Sequence, residues 1–145
     1  VSRARDVSFA AASVLFGGMW LLAAGAKVWT PLPAYEFLAR AVPAGPAAKT
    51  VFVAGVAFES LLGALMLLRA IPPARAFAAT LAGLAAAAAL LLVVRSKAGG
   101  QLQCGCYGHV LFSSIDGELT LNAALAAILV TLLVWARATR PRPSA

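Results

Sequence analysis

Gln103-Cys104-Gly105-Cys106-Tyr107-Gly108-His109 holds both cysteines and the single histidine of the chain. Any thiol chemistry belongs to this stretch. Two thiols one residue apart can bridge only where the backbone folds back sharply, because in an extended chain their Cα atoms stand near the upper limit for a disulfide. Gly105 and Gly108 permit that fold. So small a ring is strained, and strain makes a disulfide a better oxidant that exchanges more readily than a structural bridge. Three readings of Cys104 and Cys106 stand side by side. A redox pair fits two cysteines gathered in a glycine-rich loop, with Lys97 and His109 near enough in sequence to favour the reactive thiolate. A soft-metal site would use both thiolates and His109, ligands that suit Cu(I) or Zn(II) but leave a tetrahedral set incomplete. The third reading is purely structural.

Glu59 is the other residue whose type and place demand an account. It interrupts the apolar stretch Thr50 to Leu68, and a charge at the centre of a bilayer costs roughly 2.5–3.5 kcal/mol even on lenient scales. It must therefore face protein. Gly55 and Gly63, four residues before and after it, share its helical face and would let another helix approach closely. Lys27 is a candidate partner, although its position at the end of the first apolar stretch places it nearer the outer surface. Glu59 reads either as a buried acid hydrogen-bonding between helices or as a proton acceptor beside a quinone headgroup.

The elements that position these residues are membrane spans. The 145 residues are 62% hydrophobic and only 12% charged, about half the charged fraction of a soluble protein. Four apolar stretches, Val7 to Ala26, Thr50 to Leu68, Ala76 to Val94 and Leu119 to Ala136, are each long enough to cross about 30 Å of hydrocarbon as a helix. The fold expected is all-α, an integral membrane four-helix bundle forming one domain, with spans near residues 7–28, 48–69, 75–95 and 118–137 and a tail over 138–145. Residues 1–26 could pass for a signal peptide, with Arg3 and Arg5 ahead of an apolar run and Ala24-Gly25-Ala26 as a cleavage site. As part of this chain they are read as the first span. Trp20 and Trp29 are expected towards the outer interface.

Pro31, Pro33, Pro43 and Pro46 break the first loop around Ala34 to Arg40, which leaves room for a short interfacial helix. Tyr35, Phe37 and Leu38 would dip into lipid or cap the bundle, while Glu36 and Arg40 could pair on the wet side. An ordered connector serves as well as a binding lid. In the third span Ala78, Ala82 and Ala86 read as a face for close helix packing. Arg95 to Gly100 ends that span, Asp116 or Thr120 could begin the fourth, and Asn122 sits in its first turn.

The net charge of +7 flanks the apolar stretches, where anionic headgroups account for it, so nucleic acid is not expected as a partner. Arg3, Arg5, Arg69, Arg75, Arg137, Arg140 and Arg142 outnumber Lys27, Arg40, Lys49, Arg95 and Lys97 on the opposite side. That balance places both termini in the cytoplasm and the cysteine loop outside, where thiols can be held oxidised.

Cys104-Gly105-Cys106-Tyr107-Gly108 after the third span resembles the motif of the MauE/DoxX-like redox-associated membrane proteins, with Tyr107 where Phe is commoner. The similarity extends to Ala24 through Val28, to Phe58 through Gly63, and to Asn122 in the fourth span, or roughly residues 10–135. It implies a bacterial plasma-membrane protein that works with an extracytoplasmic thioredoxin-like protein or within a larger membrane complex, and quinone-linked redox chemistry. Family membership does not establish catalysis; on the redox reading Cys104 and Cys106 would be the catalytic residues of a thiol–disulfide/quinone oxidoreductase, with Lys27, Glu59, Tyr107 and Asn122 around a quinone. The alternative is a soft-metal-binding or accessory subunit of a larger membrane complex.

Overall fold

Proline opens three of the five helices. The computed structural model describes residues 2–43, 45–98 and 114–138, which form α1 (Ser2–Trp29), α2 (Pro31–Ala41), α3 (Pro46–Leu67), α4 (Pro73–Ala98) and α5 (Ile115–Ala138). At the first position of a helix proline's missing N–H costs nothing and its fixed φ is already helical, so Pro31, Pro46 and Pro73 act as starts as well as breaks. Ser114 caps α5: its hydroxyl accepts a hydrogen bond from Gly117 N at 3.2 Å, and Asp116 and Glu118 in the first turn complement the helix dipole. Among the described residues there is no strand.

Four of the helices are long and apolar enough to cross a membrane, over Asp6–Trp29, Pro46–Leu67, Pro73–Ala98 and Ile115–Trp135. The shortest, 21 residues, reaches about 31 Å, the thickness of the hydrocarbon core. Leu15, Leu22, Val53, Leu61, Leu92 and Val134 are exposed along them. Such an apolar exterior is unsuited to water and suited to lipid.

α1 and α3 approach closely at Gly17 and Gly63. A Cβ on Gly63 would stand 2.8 Å from Leu21 Cγ and 2.9 Å from the carbonyl oxygen of Gly17, so only glycine allows this spacing. Phe16, Leu62, Met66, Phe77, Leu84 and Leu129 fill the core beside it. Trp20 belongs to that core and not to an interface. It is buried, donates Nε1–H to Thr80 Oγ1 at 3.3 Å, and meets the Phe58 ring edge-on with centroids 5.9 Å apart. Having a hydroxyl partner inside the bundle is what lets an indole N–H leave the wet boundary. Trp29, by contrast, is fully turned outward.

The alanines of α4 also depart from expectation. Ala78, Ala82 and Ala86 are exposed, while Ala76, Phe77, Thr80, Leu84, Leu91 and Val94 make the buried face. Phe77, Leu84, Leu91 and Val94 carry the apolar contact area of that face, and these three alanines lie off it.

α2 lies across one end of the bundle. Phe37 packs against Leu91 and Val94 of α4 and Ile115 of α5, and Tyr35 meets Phe52 of α3 edge-on at 6.5 Å. Phe37 thus caps the bundle. Glu36 and Arg40 are both exposed and form no ion pair among the described residues; two long side chains in water gain too little from pairing to be held in one geometry. The backbone carbonyl of Arg40 instead accepts from Lys97 Nζ at 3.3 Å.

Candidate functional site

Beneath α2 the helices leave a cavity of about 140 Å³. Ala34, Phe37 and Leu38 cover it, Val51, Phe52 and Gly55 form one wall, Leu84, Ala87 and Leu90 another, and Trp20 lies among the deeper residues. Four polar side chains line it, each from a different long-helix position: Lys27, Glu59, Glu118 and Asn122. An apolar chamber with a few convergent polar groups is the usual form of a small-molecule site.

Lys27 and Glu59 meet directly. Lys27 Nζ donates to Oε1 at 2.7 Å and to Oε2 at 2.8 Å, and the two side chains are only 14% and 13% exposed. Lys27, although near the end of α1, is therefore enclosed by protein. Glu59 stands about 20 Å along α3 from Pro46, and residues of α2 cover the cavity that both side chains line. A charge pair withdrawn this far from water is favoured by having each charge at hydrogen-bond distance from the other.

Gly55 does not provide a close helix approach, since nothing lies within 4 Å of where its Cβ would be. It borders the cavity, and its missing side chain contributes open space. Gly63, on the same face of α3, has the contact role.

Asn122 lines the cavity and is buried, as is Glu118 one turn before it. Glu118 stands just ahead of the apolar stretch that begins at Leu119, so composition does not single it out. The signal was its i, i+4 spacing with Asn122, which puts both on one face of α5. Together the structure assembles Lys27, Glu59 and Asn122 at one chamber and adds Glu118.

Cys104, Cys106, Tyr107 and His109 lie outside the described residues. The described residues that flank them lie at the α2 end of the bundle, beside the cavity. There Arg95 Nε and Asp116 Oδ1 stand 2.9 Å apart, joining the end of α4 to the start of α5.

A family model described as methylamine utilisation protein MauE matches residues 5–136. The chain belongs to the MauE family. DoxX-type proteins are no part of that match, so that half of the resemblance rests on the short motifs alone. No curated protein and no solved structure matches the chain. Family membership and four helices of spanning length make this MauE-family chain an integral membrane protein, and an accessory membrane role is compatible with both.

Proposed function

We propose that this MauE-family protein is a membrane thiol–disulfide redox protein of the bacterial plasma membrane. Cys104 and Cys106, on the extracytoplasmic side, exchange electrons between a thioredoxin-like partner and a quinone held in the cavity. The observation that carries the reading is the juxtaposition of a polar-lined apolar chamber with the two helix ends, Ala98 and Ser114, from which the cysteine segment departs. The chamber's volume is close to the ~150 Å³ of a cavity that admits benzene, so a six-membered ring matches it in size. Lys27 and Asn122 offer N–H donors for a carbonyl oxygen, and Glu59 and Glu118 offer carboxylates on which a proton can be held.

In the thiol-to-quinone direction, a partner thiolate attacks one sulfur of the Cys104–Cys106 disulfide and the other sulfur departs as a thiolate. The partner's second thiol then resolves the mixed disulfide, leaving the partner oxidised and both cysteines reduced with two protons gained. Re-forming the Cys104–Cys106 bond releases two electrons and two protons, and a quinone is an acceptor for that number of each. The same steps run backwards in an oxidising direction.

The test is anaerobic incubation of the reduced, detergent-purified protein with a short-chain quinone, following thiol loss by alkylation and mass shift. One disulfide per quinol is expected, and Asn122→Leu should slow its formation while Cys104→Ser abolishes it. Thiols that stay reduced in the presence of quinone, or that hold stoichiometric copper or zinc, overturn the reading in favour of a metal-binding or accessory subunit.

A further inference from the structure

At the opposite end of the bundle, Arg69 occupies a backbone conformation that favours glycine. Its φ is 52°, and the bonds around it, Ala70 N to Leu65 O at 3.0 Å and Arg69 N to Met66 O at 3.2 Å, close α3 in the motif whose left-handed position is usually glycine. A non-glycine residue there stores strain. Among the described residues its guanidinium has no ion pair or hydrogen bond to offset that strain.

Arg69 stands on a cavity of about 520 Å³, lined also by Asp6, Phe9, Ser13, Met66 and Ile71. Ser13 is only 6% exposed and makes no side-chain hydrogen bond with a described residue. Other helical hydroxyls in the chain, on Thr50, Thr120 and Thr131, donate back to the carbonyl four residues earlier. A buried hydroxyl that forgoes this bond and lines a cavity is available to a ligand.

We propose that this cavity is a binding site for a glycerophospholipid, with the phosphodiester on Arg69, an ester carbonyl accepting from Ser13, and acyl carbons against Phe9, Met66 and Ile71. Depth supports the choice. The first span begins at Asp6, the second ends at Leu67 and the third begins at Pro73, so Arg69 lies at headgroup level. Ser13 is about 10 Å further along α1, on the side of the acyl chains. The cavity is too large and too apolar for inorganic phosphate alone, and Asp6 at its edge favours a headgroup bearing one phosphate charge over a dianion.

Titration of the delipidated full chain with dioleoylphosphatidylglycerol, read by native mass spectrometry, tests this. Arg69→Gly is the informative variant, because it relieves the positive φ while removing the side chain that carries the guanidinium. It should keep or raise the thermal midpoint of the lipid-free protein while weakening phospholipid retention about tenfold or more. Ser13→Ala should weaken retention severalfold. Dioleoylglycerol should bind poorly, and millimolar inorganic phosphate should fail to displace the phospholipid. Undiminished retention by Arg69→Gly, equal binding of dioleoylglycerol, or displacement by inorganic phosphate overturns the proposal, and none of these results bears on the cysteine chemistry at the other end.

Discussion

Lys27 Nζ stands 2.7 and 2.8 Å from the two carboxylate oxygens of Glu59, a residue 32 positions away in the chain. The contact ties α1 to α3 at the chamber and gives each charge its counter-charge. Removing one member takes from the other its counter-charge at hydrogen-bond distance, at a cost of up to about 3–5 kcal/mol, whereas removing both can be close to neutral. Lys27→Met and Glu59→Leu should each lower the thermal midpoint in detergent, and the double variant should regain most of the loss. A double variant as unstable as the sum of the singles would mean that packing, and not charge, is what the singles disturb.

Gly63 and Gly55 should respond oppositely to alanine. At Gly63 the new methyl would press on the backbone of Gly17, an overpacking that costs about 1–3 kcal/mol. Gly55→Ala has open space and gains helix propensity worth about 0.8–1.0 kcal/mol. It should be no less stable than the parent yet bind a quinone analogue more weakly, because its methyl enters the chamber. Thermal denaturation together with quenching of Trp20 emission by the analogue checks both halves.

The fold was legible where composition alone decides it, in four stretches too apolar for water and a proline-bounded segment between the first two. The site was legible only in part. Glu59 and Asn122 stand out because polar groups in spans need partners, but Glu118 sits at a span's edge, where an acid is unremarkable. Trp20 was misplaced because an indole's preference for the interface is overridden once Thr80 supplies a hydroxyl inside. The burial of Lys27 was not legible, because sequence distance from a helix end says nothing of what packs over it. The outward turn of Ala78, Ala82 and Ala86 depends on which face carries the larger side chains, a property of the whole assembly.

Orientation should show in accessibility. With the cysteine segment extracytoplasmic, a membrane-impermeant maleimide added to intact, reduced cells should label Cys104 and Cys106. Labelling that requires permeabilisation would invert the topology.

The cysteine pair should form a reversible intramolecular disulfide. Each 1.4 kcal/mol of ring strain raises a two-electron potential by about 30 mV, so a few kcal/mol lifts the pair out of the structural range below roughly −300 mV. A redox titration in detergent, read by mass shift on alkylation, measures the midpoint. A value within the structural range would remove the relay.

Lys27 and Glu59 both lie in the first half of the polypeptide, and this bears on biosynthesis. A nascent α3 carrying an uncompensated carboxylate would partition poorly from the translocon into lipid, and helices synthesised later could not help it at that moment. Its counter-charge is already waiting on α1. The N-terminal pair of helices can thus enter the bilayer as a neutralised unit before α4 and α5 are made, and Lys27→Met should lower insertion yield as well as the stability of the finished bundle.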